Sequence, residues 1–116
     1  MVVRNELTTE LSDDEVDRIF RALADATRRD ILSLTLVEET SVSRLAQRYD
    51  MSFAAVQKHV AVLEGAGLVT KHPRGRERLV RGNPDRIARA MELLARYEHL
   101  WRDRVSRLDA LFAEED

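Results

Sequence analysis

The stretch from residue 52 to residue 69, SFAAVQKHVAVLEGAGLV, constrains the fold more than any other part of the chain. Three of its apolar residues recur at the spacing of one stripe on an α-helix, namely Val56, Val60 and Leu63. Ser52 is a favourable N-cap residue, and Gly67 followed by Leu68 is typical of a Schellman motif at a helix C-terminus. The sequence therefore predicts one short helix with a defined beginning and end.

The opposite face of this helix carries small residues and two long polar donors but no acidic group: Ala54, Gln57, Lys58 and Ala61. Alanine allows close approach to a base pair and can contact a thymine methyl group. Glutamine and lysine can reach base edges, and lysine can also bind phosphates. This composition favours a helix that reads DNA, although a solvated helix of another α-rich domain would show the same periodicity.

Charge is unevenly distributed along the chain, which the net charge of −2 conceals. Residues 1–40 contain five Arg and ten acidic residues, whereas residues 41–82 contain eight Lys or Arg and three acidic residues. All of the positive excess therefore lies in the segment that contains the candidate DNA-reading helix. A polyanionic partner is the simplest explanation, and chance segregation in a charge-rich chain is the alternative.

Length and composition limit the class of protein. A chain of 116 residues with 44% hydrophobic and 34% charged residues is typical of one soluble globular domain. It has no apolar run that could span a membrane, no visible secretory signal and no cysteine, which excludes disulfides and thiolate metal sites. We expect a cytoplasmic protein with a flexible N-terminal arm at residues 1–11 and one domain at residues 12–116.

Two helices are predicted at the start of this domain. Ser12 and Glu15 have the spacing of a capping box, and Asp25 can cap a second helix that runs to about residue 37. The first helix has one apolar stripe, formed by Val16, Ile19, Phe20 and Leu23. The inward residues of the second would be Ile31, Leu32 and Leu36. Arg28 and Arg29 fall in a first turn, where the dipole disfavours cations, so a phosphate or a nearby carboxylate is their expected partner.

A short third helix is predicted at about residues 42–49, after a loop at 38–40 and with Thr40 or Ser41 as its cap. Its inward residues would be Leu45, Ala46 and Tyr49. Together with the DNA-reading helix it forms a helix-turn-helix over about residues 42–66. In such a motif the second helix lies in the major groove.

The periodicity after Gly67 changes to that of two short strands, at residues 68–72 and 77–81, which are joined by a turn at 73–76. A hairpin beside a helix-turn-helix is a wing, which here covers about residues 68–82. Its tip carries Arg74, Arg76 and Arg78. Arginine at this place suits a narrow minor groove or flanking phosphates, and a merely solubilising hairpin is the alternative.

One long helix is predicted at about residues 84–113, with Asn83 as its cap and Pro84 as its first residue. Its apolar seam has steps of four and three with one polar interruption: Ile87, Met91, Leu94, Glu98, Trp101, Val105, Leu108 and Phe112. A helix of this length is about 40 Å long, whereas a compact chain of this size has a radius of gyration of about 13 Å. A second copy of the chain is the simplest cover for the overhanging seam, and folding back onto the same core is the alternative.

Five segments in unbroken order resemble the ArsR-type winged-helix repressors of bacteria. They are ALADATRRDIL at 22–32, VSRLA at 42–46, VQKHVAVLEGAGLV at 56–69, the Gly-Arg of the wing at 75–76 and WRDRVSRLD at 101–109. The last of these is similar to the end of a metal-free branch of the family. The resemblance implies a mainly α fold of five helices with a small β-hairpin wing, a homodimer formed through the first and last helices, and repression from an inverted-repeat operator.

The resemblance also implies roles for individual residues. The DNA-binding residues would be Ser52, Ala54, Gln57 and Lys58 at the bases, with Arg44, His59, Lys71, Arg74, Arg76 and Arg78 at the backbone. The dimer interface would contain Val16, Ile19, Phe20, Ile87, Met91, Leu94, Trp101, Val105 and Leu108. Three residues depart from the family pattern, namely Ala26 in place of proline, Gln57 in place of serine, and Phe53 in place of a polar residue. Phe53 lies beside the core stripe on the helical wheel, so we expect it to pack rather than to read bases.

No metal, cofactor or catalytic set is expected. The thiolate motif of metal-sensing relatives is absent, and Ile87 stands where the fifth-helix site of such relatives needs a histidine. His59, His72 and His99 lack ligand spacing, so His59 is a structural or phosphate-contacting residue. No phosphate loop or nucleophile motif indicates an enzyme. The alternatives to a DNA-binding repressor are a dimeric adaptor of the same fold and a regulator with a small apolar ligand near Tyr97 and Trp101; the effector is unknown.

Overall fold

A computed structural model describes residues 10–114, in which five helices surround a small antiparallel sheet. The elements are α1 (Asp13–Leu23), α2 (Ala26–Val37), β1 (Thr40–Ser41), α3 (Val42–Arg48), α4 (Phe53–Gly65), β2 (Val69–Arg74), β3 (Glu77–Gly82) and α5 (Pro84–Glu114). This is the mainly α, winged helix-turn-helix fold that the sequence predicts. Residues 1–9 of the expected N-terminal arm lie outside the described residues.

Four helices begin at a side chain that accepts a backbone N–H three residues later, and the sequence indicated all four. These N-cap residues are Ser12, Asp25, Ser41 and Ser52. The capping box at the first of them is complete, because the Ser12 N–H donates to Glu15 Oε1 over 2.8 Å. That hydrogen bond lowers the pKa of the Glu15 carboxyl. Local hydrogen bonds of this kind fix where each helix starts.

The C-terminus of α4 is the predicted Schellman motif. Gly67 has a φ of 76°, its N–H donates to Glu64 O over 2.9 Å, and the Leu68 N–H donates to Leu63 O over 3.0 Å. A Cβ atom on Gly67 would also lie 2.7 Å from the Nε atom of Arg86. The backbone conformation therefore requires glycine here, whereas the flexible end of the Arg86 side chain could move aside. The chain turns directly from α4 into the wing.

The predicted hairpin is present as β2 and β3, and a third strand extends it to a sheet with the order β1-β3-β2. The extra strand, β1, was predicted as loop, and its two residues are too few to show a strand periodicity. Strand β2 also continues through Pro73 and Arg74, so the turn is shorter than predicted and centres on Gly75, whose φ is 61°. Pro73 is tolerated because β2 is an edge strand of the sheet.

The hydrophobic core lies between α1 to α4 and the sheet. Its fully buried large side chains are Ile19, Ile31, Leu45, Val56, Val60, Leu63, Leu68, Val69, Val80 and Thr35. The expectation for Leu36 was wrong, because Leu36 is exposed whereas the neighbouring Thr35 is buried with its hydroxyl donating to Ile31 O over 2.9 Å. A threonine that bonds to its own helix can occupy a core position without an unsatisfied polar atom.

Helix α5 extends far beyond this core. The radius of gyration is 19.5 Å and the longest dimension is 70 Å, against a radius of gyration of about 13 Å for a compact chain of similar length. The helix packs on the domain near its start, where Ala90 is buried and Ile87 is partly buried. It does not fold back onto the same chain, which excludes that alternative. No helix in the described part of the chain is long and apolar enough to cross a membrane.

Candidate nucleic-acid interface

Helix α4 exposes the face that the sequence assigned to DNA. Val56, Val60 and Leu63 are fully buried, and they fix the rotation of the helix about its axis. The opposite side leaves Ala54, Gln57, Lys58 and Ala61 exposed. Ser52 is exposed at the start of the helix, where its Oγ accepts the Ala55 N–H over 3.1 Å. Capping uses only an acceptor position of this hydroxyl, so its proton is still available to an external acceptor.

The wing separates its basic residues onto two faces. In the pairing of β2 with β3, Arg78 is opposite Pro73 and Arg74 is opposite Glu77. Side chains alternate between the faces of a sheet, so one face of the wing carries Thr70, Arg74 and Arg81. The other face carries Lys71 and Arg78. On the first face Glu39 binds both arginines, with Oε2 2.7 Å from Arg81 Nη2 and Oε1 3.7 Å from Arg74 Nη2. Arg74 therefore points away from α4.

A groove of about 440 Å³ lies between α4 and the second face of the wing. Its lining residues come from α3, α4, β2, the turn and β3, and they are Val42, Ser43, Phe53, Gln57, Val60, Lys71, Arg76, Glu77 and Arg78. Arg76 and Arg78 are exposed, and Lys71 is also held by Glu64 with an Nζ to Oε1 distance of 3.4 Å. The groove combines the amide side chain of Gln57 on one wall with the guanidinium groups of Arg76 and Arg78 on the other.

Phe53 lines this groove instead of the core, so the expectation that it packs inside was wrong. Its exposed fraction is 46%, although it stands next to the core stripe of α4. The core does not reach the first turn of this helix, where the partly buried Met51 covers the hydrophobic cluster. A sequence signal was available, because Phe53 and Gln57 are four residues apart and hence lie on the same side of a helix.

Arg28 and His59 have structural roles. The Arg28 Nε–H donates to Ala22 O over 2.8 Å, Nη2 donates to Arg21 O over 3.0 Å, and Nη1 lies 3.2 Å from His59 Nδ1. Because a guanidinium group can only donate, Nδ1 of His59 accepts in this contact. Cations are favourable at these carbonyl groups because they end helix α1. Arg28 thus joins the end of α1 to the middle of α4.

Asp25 and Arg29 add two further hydrogen bonds at the junction of α1 and α2. Asp25 caps α2 by accepting the Arg28 N–H over 3.0 Å, and this hydrogen bond lowers the pKa of the Asp25 carboxyl. Arg29 Nη1 donates to Leu23 O over 2.7 Å. The two arginines that the sequence offered as phosphate or carboxylate ligands therefore both bind backbone carbonyl oxygens, a partner that sequence spacing did not indicate.

The structure brings together only part of the predicted DNA-binding set. Gln57, Lys71, Arg76 and Arg78 share the groove, and Ala54 and Lys58 lie on the neighbouring exposed stripe of α4. Three other predicted residues lie elsewhere, since His59 faces Arg28, Arg74 faces Glu39, and Arg44 lines a separate depression between α2 and α3. Within residues 10–114 no group of three or more potential ligand side chains could hold a metal ion.

The predicted dimer surface is mostly exposed in the single chain. Its members on α5 include Met91, Leu94, Trp101 and Leu108, and Phe20 extends the exposed apolar area onto α1. Ile19 is different, because only 1% of it is exposed and it leaves no area for a second chain to cover. The predicted set also omitted four exposed apolar residues of α5, namely Tyr97, Leu100, Leu111 and Phe112.

Comparison with known proteins identifies related chains. A family model described as a helix-turn-helix domain matches residues 23–72. The chain is 47% identical to the uncharacterised HTH-type transcriptional regulator YuzN of Bacillus subtilis, over 55% of this chain and 77% of YuzN. Among solved structures, an ArsR-like transcriptional regulator from Rhodococcus sp. RHA1 has a TM-score of 0.75 and 31% identity, over 84% of this chain and 92% of that chain.

A second solved structure adds an assembly state. It is the homodimeric winged helix-turn-helix DNA-binding domain of a possible ArsR-family regulator from Mycobacterium bovis. It has a TM-score of 0.61 and 27% identity to this chain, over 80% of this chain and 94% of that one.

Proposed function

Because the chain belongs to the ArsR family of winged helix-turn-helix transcriptional regulators, we propose that it is a homodimeric repressor that binds an inverted-repeat DNA operator. Proteins of this family are DNA-binding regulators and not enzymes. The observation that carries the proposal is the surface formed by the acid-free face of α4 and the guanidinium groups of Arg76 and Arg78 across the groove. Such a surface matches a base edge and the phosphates beside it.

In this proposal α4 lies in the major groove of DNA. Gln57 and Lys58 reach base edges, Ala54 allows the helix to approach closely, and Ser52 donates from the first turn to a base or a phosphate. Arg76 and Arg78 bind the phosphate backbone. The remaining predicted contacts are secondary, because Lys71 and Arg74 would have to leave Glu64 and Glu39, and His59 would have to leave Arg28.

Dimerisation is supported by the exposed apolar residues of α5 and by the homodimeric relative from M. bovis. Residues Phe20, Met91, Leu94 and Trp101 would be covered by the second chain. A two-fold axis would then place the two copies of α4 in successive major grooves, about 34 Å apart. An operator with two inverted half-sites at this spacing follows from the symmetry, and its DNA would be encountered in the cytoplasm.

The test is selection of binding sites from random duplex DNA, followed by fluorescence anisotropy on the selected and scrambled sequences across a salt series. We expect an inverted repeat and a steep loss of affinity as salt rises. Size-exclusion chromatography with light scattering should give a dimer. Failure to enrich any sequence, with equal weak binding to all DNA, would contradict the proposal and favour a dimeric adaptor. Placement of the site upstream of a promoter-driven reporter then decides between repression and activation.

A further inference from the structure

We propose that Phe53 reads the 5-methyl group of a thymine at one position of each operator half-site, by apolar contact in the major groove. This inference rests on the proposed function and adds a specificity-determining residue to it. The 5-methyl group is the chemical feature that Phe53 would recognise. Thymine carries it in unmodified DNA, and 5-methylcytosine presents the same group at the same place in the groove.

The position of Phe53 supports a role at the bases. It is the first residue of α4, and residues near the N-terminus of a recognition helix are the ones that contact base edges. Gln57, the strongest candidate for a base hydrogen bond, follows one helical turn later on the same wall of the groove. A helix that brings Gln57 to a base pair therefore brings Phe53 to the next or second-next pair.

Packing within the chain does not account for the exposure of Phe53. Val56 and Val60 already fill the core beneath this end of α4 with no exposed surface, while 46% of Phe53 is exposed. Most of the other large exposed apolar side chains lie on α1 and α5, on the face that a second copy would bury. Phe53 is not part of that face, since it lines the groove between α4 and the wing.

The surroundings of Phe53 favour DNA over a protein partner. The exposed side chains that share its groove are polar or charged, including Gln57, Arg76 and Arg78. A protein covering Phe53 would have to bury these guanidinium groups or supply partners for them. DNA satisfies both requirements together, because phosphates bind the arginines while the thymine methyl is the apolar group that projects into the major groove.

The test replaces each thymine of the selected operator, one at a time, by deoxyuridine, which lacks only the 5-methyl group. For the wild-type protein we expect one thymine in each half-site whose replacement weakens binding about three- to fivefold, the loss that burial of one methyl group predicts. The Phe53→Ala variant should bind the thymine and uracil operators equally well at that position. Uracil substitutions that are neutral everywhere, or equally costly in both proteins, would overturn the inference.

A matched control is Val62→Ala, which removes a similarly exposed apolar side chain from α4 outside the groove. This variant should keep the full uracil penalty, and both variants should melt at the wild-type temperature. If Phe53→Ala fails to fold, Phe53→Leu replaces it, and this variant should show a reduced penalty at the same thymine. A penalty that Phe53→Leu leaves unchanged would contradict the assignment.

A comparison of cytosine with 5-methylcytosine distinguishes the contribution of the methyl group to binding from that of the rest of the base. A cytosine placed at the critical thymine should bind weakly, and 5-methylcytosine at the same position should recover about three- to fivefold in the wild type but nothing in Phe53→Ala. Absence of this recovery would overturn methyl reading. A selection that enriches no sequence would overturn the proposed function and this inference with it, whereas an enriched operator in which uracil is neutral overturns this inference alone.

Discussion

Two pairs of arginines in this chain differ in what their guanidinium groups contact. Arg28 and Arg29 donate to the carbonyl groups that end α1, whereas Arg76 and Arg78 extend into the groove between the wing and α4. The first pair occupies acceptors that the fold leaves unsatisfied at a helix end. The second pair lies at the turn of the wing and at the start of β3, away from any helix end. An arginine beside the free carbonyl groups of a helix end stabilises the fold, whereas an arginine far from such groups is available to bind a ligand.

Replacement of Arg28 by alanine tests the structural half of this comparison and should have the largest effect. It removes three contacts of a partly buried guanidinium group and leaves the Ala22 and Arg21 carbonyl groups without their donor. The expected loss in the free energy of unfolding is about 3 kcal/mol. Urea unfolding at one fixed protein concentration measures it, because the stability of a dimer depends on concentration.

The control for this variant is Arg18→Ala, which removes an exposed arginine from α1. Its unfolding free energy should change by no more than about 0.5 kcal/mol. The fraction of Arg28→Ala protein that remains folded should bind DNA with the same salt dependence as the wild type. A reduced salt slope with unchanged stability would mean that Arg28 binds a phosphate and that the two pairs do not differ in the way proposed.

Replacement of Gln57 by alanine should give the next largest effect, and it acts on the base-reading wall of the groove. We expect a loss of about 1–3 kcal/mol at one base pair of each half-site, together with relaxed specificity at that pair. Competition binding with all four base pairs at each operator position measures both quantities. A uniform loss across all sequences would place Gln57 at the phosphate backbone and would contradict its assignment to a base.

Local signals in the sequence predicted the elements that depend on neighbouring residues. The capping serines, the glycine at the end of α4 and the apolar spacing of α4 and α5 were all readable, because each follows from contacts within a few residues. Strand β1 was missed because its two residues gain strand geometry only from pairing with β3. The separation of Arg74 from Arg78 was missed because the shorter turn fixes the register on which it depends.

The candidate site, too, could be predicted only where a residue's position follows from local sequence spacing. Gln57 and Lys58 follow from helical spacing, whereas the exposure of Phe53 depends on where the core ends beneath α4. The inward rotation of His59 depends on Arg28, which is 31 positions away in sequence. Long-range contacts of this kind have no local pattern, and they decide which polar side chains remain free for a ligand.

Replacement of Arg76 by alanine tests the ligand-binding half of the comparison. Binding to all DNA sequences should weaken to a similar degree, and the slope of log K against log salt should fall by about one phosphate contact. Stability should change by less than about 0.5 kcal/mol because the side chain is exposed at a turn. Anisotropy titrations at several salt concentrations give the slope.

Arg74→Ala is the matched control for Arg76→Ala, because it removes a wing arginine that faces Glu39 instead of the groove. Its effect on the salt slope should be smaller than that of Arg76→Ala. Equal effects would show that both faces of the wing contact DNA. An unchanged slope in Arg76→Ala would show that the wing is not a DNA contact at all.

The smallest expected effect concerns pH and the cap that holds Arg28 in place. The pKa of Asp25 is lowered in the folded protein because its carboxylate accepts the Arg28 N–H. Its contribution to stability is therefore present above its ordinary pKa of about 3.9 and is lost as pH falls through the lower folded value. Asp25→Asn retains a capping side chain that does not titrate. The stability difference between wild type and Asp25→Asn, measured by urea unfolding from pH 6 downward, should change only below about pH 4. A difference that is constant with pH would show that ionisation of the cap contributes nothing to stability, so that Arg28 is held by the α1 carbonyl groups and His59 without it.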